Sequence, residues 1–184
     1  MPSFGDLLQR VPDDYKPLAA VGIGAIILVG IVMFHGFGLH TIMVSHERWR
    51  GRLFKHHAHL TGAAFVFGWA VFLMLALQIV EILIWALLLN RLGLIKNVHD
   101  VIYFCANAYT TLGMGKMELE RSWRLISPII GISGLFTFAW TTSALVDLVT
   151  AHRQLVQQLE EQRRNRRKAL AEKKAAAEAH SPRA

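Results

Sequence analysis

Three long apolar runs divide the chain, at 18–44, 60–89 and 125–149, with polar and basic residues in the breaks. Each run meets the roughly 20 residues of helix that cross about 30 Å of hydrocarbon, so each predicts a transmembrane helix. Along the second run, Met74, Gln78, Glu81 and Trp85 fall on one stripe at helical spacing. A stripe carrying an intramembrane carboxyl group faces protein rather than lipid. Between the second and third runs, 97–108 has the pattern of a short helix. The stretch Tyr109-Thr110-Thr111-Leu112-Gly113-Met114-Gly115 follows it directly. The third run leads into 151–179, rich in Ala, Glu, Lys, Arg and Gln and free of Gly and Pro, which predicts that the helix continues past the membrane. Val149, Val156 and Leu159 supply too little heptad spacing for a coiled coil.

Composition agrees with the pattern. The 184 residues are 53% hydrophobic and 18% charged, and the mean hydropathy is +0.35. Those values fit a small integral membrane protein with no second folded domain. Asp6, Asp13 and Asp14 precede the first run, which is longer than a signal-peptide core and lacks an Ala-x-Ala site, so it is expected to be a retained span. Arg48, Arg50, Arg52 and Lys55 lie between the first two runs, and Arg153, Arg163, Arg164, Arg166, Arg167, Lys168, Lys173 and Lys174 follow the third. The positive-inside rule then places the N-terminus outside and the C-terminus in the cytoplasm of a multi-pass plasma (inner) membrane protein. The break after the second run falls on the outer side. The net charge of +7 is accounted for by topology and anionic lipid, with no need for nucleic acid. The expected layout is an extracytoplasmic segment at 1–17, an extra span at 18–44, a basic cytoplasmic loop at 45–59, a core domain at 60–150 and a basic helical tail at 151–184.

The Thr-x-Gly-x-Gly stretch on the outer side, after a short helix and between two spans, resembles the selectivity filter of the potassium channel pore-domain family, the two-transmembrane, P-loop type. The handedness of backbone that such a filter needs favours glycine, and Thr-Val-Gly-Tyr-Gly carbonyls are the standard example of a filter that replaces the ion's water shell. The resemblance covers about half of the chain and leaves the first span as an addition. It implies an all-α membrane protein with three transmembrane helices, a re-entrant pore helix and filter loop between spans two and three, and a tetrameric pore. By the same resemblance, the carbonyls of Thr111, Leu112, Gly113 and Met114, closed by Gly115, would form the ion sites. No cofactor is implied beyond K+ ions in the filter. Trp123 resembles the tryptophan that often opens the inner helix. Gly131 and Gly134 fall where a hinge glycine is common, with close packing of small residues as the equal alternative. Thr137 and Thr141, with Thr142, would line the inner cavity or bond their own helix backbone.

Three positions depart from the family's pattern. Met114 stands where an aromatic is usual, Lys116 where an aspartate follows the last glycine, and Asn107 where a glutamate often supports it. The filter then lacks its usual polar bracing, which implies reduced selectivity. Repulsion from Lys116 is no barrier, since four such charges at roughly 10 Å in water cost about 0.4 kcal/mol each. Glu81 has two readings: an ordinary hydrogen-bonded helix contact, or a replacement brace behind the filter acting through Asn107, Tyr109 or Lys116.

Six of the nine histidines, His35, His40, His46, His56, His57 and His59, are expected at or near the cytoplasmic face. Cys105 is expected to pack in the pore helix. The first span has no regular arginines and is no voltage sensor of the usual kind. Spans two and three carry no intramembrane histidines to ligate a haem or metal, so an enzyme is not expected. The leading function is a homotetrameric cation channel of the potassium type. The alternative is a non-conducting, pore-like accessory subunit of a larger membrane complex.

Overall fold

The computed structural model describes residues 12, 14–55, 60–113 and 119–179, and every regular element among them is helical. They are α1 (Lys16–Lys55), α2 (Leu60–Arg91), α3 (Val98–Tyr109), a 3-10 turn at Arg121–Trp123, and α4 (Ile126–Ala179). Three stretches are long and apolar enough to cross a membrane: Lys16–Trp49, Gly62–Arg91 and Arg121–Lys173. The protein is an all-α, multi-pass membrane protein.

At 1.5 Å per residue, the 40 residues of α1 extend about 60 Å. The helix thus outruns the hydrocarbon and takes in 45–55, part of the expected loop. Nothing in 45–55 stops it, because the segment has no proline and only Gly51. The 54-residue α4 likewise carries the third span and the tail as one uninterrupted helix. α3, at 12 residues, is too short to cross.

Local signals set the ends of the middle elements. α2 closes on Gly93, whose φ of 74° is the left-handed conformation of a helix C-cap. The Leu94 amide donates to the Leu89 carbonyl at 3.2 Å and Gly93 to Asn90 at 3.0 Å. Asn90 Nδ2 then donates to the carbonyls of Ile95 and Lys96 at 3.0 and 3.2 Å, which folds the chain toward α3. α3 opens on Asn97, whose side chain accepts from the His99 amide at 3.0 Å. Asp100 lies in its first turn, where negative charge suits the helix dipole.

α1 and α3 each pack against both α2 and α4, and α1 also meets the 3-10 turn. One buried apolar cluster joins Trp85, Leu89, Val101, Phe104, Cys105, Trp123, Ile126 and Ile130 around α3 and the 3-10 turn. A second joins Leu39, Ala70, Met74, Leu77 and Leu148, and a third Ala63, Leu155 and Leu159 further along. Between the first two lies a layer of buried polar side chains.

Candidate functional site

That layer gathers one residue or more from every long helix. Glu81 on α2 is completely buried. One of its oxygens, Oε1, is 2.6 Å from His35 Nδ1 on α1. The other, Oε2, accepts from the Tyr109 hydroxyl at the end of α3, also at 2.6 Å. The Tyr109 hydroxyl is in turn 2.6 Å from Thr137 Oγ1 on α4. On the far side of the imidazole, His35 Nε2 is 3.1 Å from Thr141 Oγ1, which accepts from Gln78 Nε2 at 3.0 Å. One direction of donation satisfies the chain: Gln78 to Thr141, Thr141 to His35 Nε2, His35 Nδ1–H to Glu81, and Tyr109 to Glu81. The imidazole is then the Nδ1–H tautomer, set by what its other nitrogen accepts. A carboxyl group at this depth is tolerable because both oxygens accept hydrogen bonds.

Backbone geometry locks the same end of α3. Gly134 on α4 lies so close beneath it that a Cβ would run into the Tyr109 carbonyl oxygen and come within 2.9 Å of the carbonyl carbon. A Cβ on Gly131 would sit 3.3 Å from the Ala108 carbonyl oxygen. Both glycines lie against the end of α3, and α4 passes through them without a break. The chain leaves α3 by a left-handed turn. The amides of Thr111 and Leu112 donate to the carbonyls of Ala108 and Asn107 at 3.1 Å each, with Thr111 at φ 57° and Gly113 at φ 64°. Glycine adopts that conformation freely. A β-branched threonine does so at a cost of about 1–3 kcal/mol, and strain of this kind gathers at functional segments.

Of the residues expected to serve a filter, Thr111, Leu112 and Gly113 are exposed on this turn. Met114, Gly115 and Lys116 lie outside the described residues, as do His56, His57 and His59. The stripe of Met74, Gln78, Glu81 and Trp85 is buried throughout. Glu81 reaches the end of α3 through Tyr109, whereas Asn107 donates to the Tyr103 carbonyl at 2.8 Å inside its own helix. Two expectations need correction. Of the two readings of Thr137 and Thr141, cavity lining does not hold, because both are buried within the chain with Tyr109, His35 and Gln78 at their hydroxyls, while Thr137 Oγ1 also meets the Ser133 carbonyl of its own helix at 3.0 Å. His35, expected at or near the cytoplasmic face, is fully buried midway along α1. Its role escaped the sequence because α1 is apolar on all sides and no periodicity marks its inward face. The available signal was the pairing rule itself, since a buried carboxyl group demands a partner.

A model of the ion channel family matches residues 65–151. The match takes in most of α2, all of α3, the turn after it and the membrane part of α4, and leaves α1 outside. No curated protein and no solved structure matches the chain. With two spanning helices flanking a short helix and a glycine-bearing turn, residues 65–151 are similar to the two-transmembrane, potassium-channel-like ion channel family.

Proposed function

We propose that four copies of the chain enclose an axial pore and pass dehydrated K+ along the backbone carbonyls of Thr111, Leu112, Gly113, Met114 and Gly115. The observation that carries this reading is the placement of a Thr-x-Gly-x-Gly stretch at the C-terminal end of a short helix wedged between two spans. In this reading α3 is a re-entrant pore helix, and its partly negative C-terminal end favours a cation nearby. Exposure of 111–113 in a single chain supports closure by further copies, because irregular backbone at membrane depth is tolerated only in protein or beside water. The chain is expected to be a tetramer by native mass spectrometry in mild detergent. A monomer or dimer under those conditions would remove both the pore and the conduction.

Flux of K+ into liposomes holding the purified protein, repeated with Na+, tests conduction and selectivity together. K+ should pass, with weaker preference over Na+ than a filter carrying the family's usual braces. Gly113→Ala is the matched control. A Cβ there meets nothing within 4 Å in the chain, so the variant acts through backbone conformation, at a penalty of roughly 1–2 kcal/mol per copy in the left-handed region. Four copies should stop flux while the tetramer persists. Equal flux in this variant would show that the stretch is not the filter. An intact parent tetramer that passes neither ion would point instead to the accessory-subunit role that Met114, Lys116 and Asn107 suggest. The exposed Arg48, Arg153, Arg163 and Arg164 support a cytoplasmic C-terminus held near anionic lipid.

A further inference from the structure

We propose that α1, the helix outside the family match, is a clamp on the pore helix, and that His35 is its positioning residue. The inference deepens the pore reading above and rests on it only where conduction is concerned. His35 ties the first span to both of the others through its two ring nitrogens. Nδ1 holds Glu81 of α2 at 2.6 Å and Nε2 meets Thr141 of α4 at 3.1 Å. By engaging Oε1, the imidazole leaves Oε2 aimed at the Tyr109 hydroxyl. Tyr109 is the last residue of the pore helix, two positions before Thr111. The path from α1 to the filter is therefore two hydrogen bonds and one helix end.

The backbone around His35 is shaped for this reach. A Cβ on Gly36 would approach the Trp140 ring to 2.6 Å, and one on Gly38 would approach Leu77 to 2.7 Å. These glycines let α1 lie close against α4 and α2, so a side chain as short as histidine can span the gap. The imidazole also sits beside the Trp140 ring, 5.8 Å between centroids, which limits its rotation. General packing of an added helix needs neither a fully buried imidazole nor two bonded nitrogens.

Three substitutions separate the clamp from ordinary packing. In His35→Asn the amide nitrogen takes the place of Nδ1, so the bond to Glu81 is kept and that to Thr141 is lost. In His35→Gln the amide nitrogen takes the place of Nε2, so the bond to Glu81 is lost. In His35→Leu both are lost. The reporter is amide hydrogen exchange of the full chain in lipid nanodiscs, read at Thr110, Thr111 and Leu112, whose amides bond back to α3. Exchange there should rise roughly tenfold in the Leu and Gln variants, the effect of losing a hydrogen bond to a carboxyl group. It should return to near the parent rate in the Asn variant, with α2 and α4 unchanged in all three. In the flux assay, the Leu and Gln channels should lose preference for K+ over Na+, and the Asn channel should keep it. Unchanged exchange at 110–112 in the Leu variant would overturn the clamp. So would an increase spread evenly over α2 and α4, or an Asn variant no better than Leu. If the parent itself passes no cation, the pore reading falls and the exchange data still decide the clamp.

Discussion

Gly134→Ala is expected to displace the pore helix and abolish conduction, with a marked loss of tetramer stability. The added Cβ would collide with the Tyr109 carbonyl oxygen and lie 3.1 Å from Tyr109 Cγ. Neither group can step aside cheaply. The carbonyl belongs to the last turn of α3, and the ring is fixed at its hydroxyl by Glu81 and Thr137. Overpacking a fitted contact costs about 1–3 kcal/mol, occasionally more, and a collision with anchored backbone belongs at the upper end. Gly131→Ala, facing the Ala108 carbonyl at 3.3 Å, should be milder, since a shift of a few tenths of an ångström relieves it. Gly68→Ala on α2 meets nothing within 4 Å and should be neutral or slightly stabilising, because alanine is the better helix former by about 1 kcal/mol. The series also separates the two roles open to the inner-helix glycines. A glycine kept only as a hinge would stiffen on substitution, so Tm would rise while gating changed. Seating of α3 requires that Tm fall. A Gly134→Ala tetramer with raised Tm and retained flux would remove the seating role.

The spans and the short helix α3 were legible because their signals are local. Apolar length marks α1, α2 and α4, and Asn97 with the glycines after Tyr109 marks both ends of α3. The stripe through Glu81 was legible for a related reason, since polar residues on a membrane helix cannot face lipid. What the stripe packs against was not. His35 lies 46 positions from Glu81 and Tyr109 lies 28 positions from it, and helical periodicity says nothing about which faces meet. α1 shows the limit most sharply, because a helix that is apolar all round hides its inward side. Thr137 and Thr141 show it in reverse. They lie four apart on one face of α4, and that face turns to Tyr109, His35 and Gln78 within the chain. Depth misled as well, because the basic residues that mark the membrane edge near Arg48 sit on a helix that continues to Lys55.

Removing the carboxyl group of Glu81 should lower conduction through loss of the held pore helix, with the tetramer largely kept. In Glu81→Leu, both Tyr109 and His35 lose their shared acceptor. A buried donor left without a partner costs about 1–3 kcal/mol, whereas hydrogen bonds between transmembrane helices average about 0.6 kcal/mol, so the two losses together span roughly 1–6 kcal/mol. At 1.4 kcal/mol per tenfold, even the middle of that range reduces the held state by about two orders of magnitude. Glu81→Gln should be gentler, because its amide oxygen still accepts from one donor while its N–H faces the other. The imidazole can relieve that conflict by moving its proton to Nε2, at the expense of the bond from Thr141. The expected order of flux is therefore parent, then Gln, then Leu, measured at equal tetramer content. Tyr109→Phe removes the donor at the other end of the same bond. Combined with Glu81→Leu, it should cost far less than the sum of the two single changes, because partners in one network are coupled. Additive losses, or full flux in both Glu81 variants, would show that the carboxyl group stabilises the helix bundle without holding the pore helix.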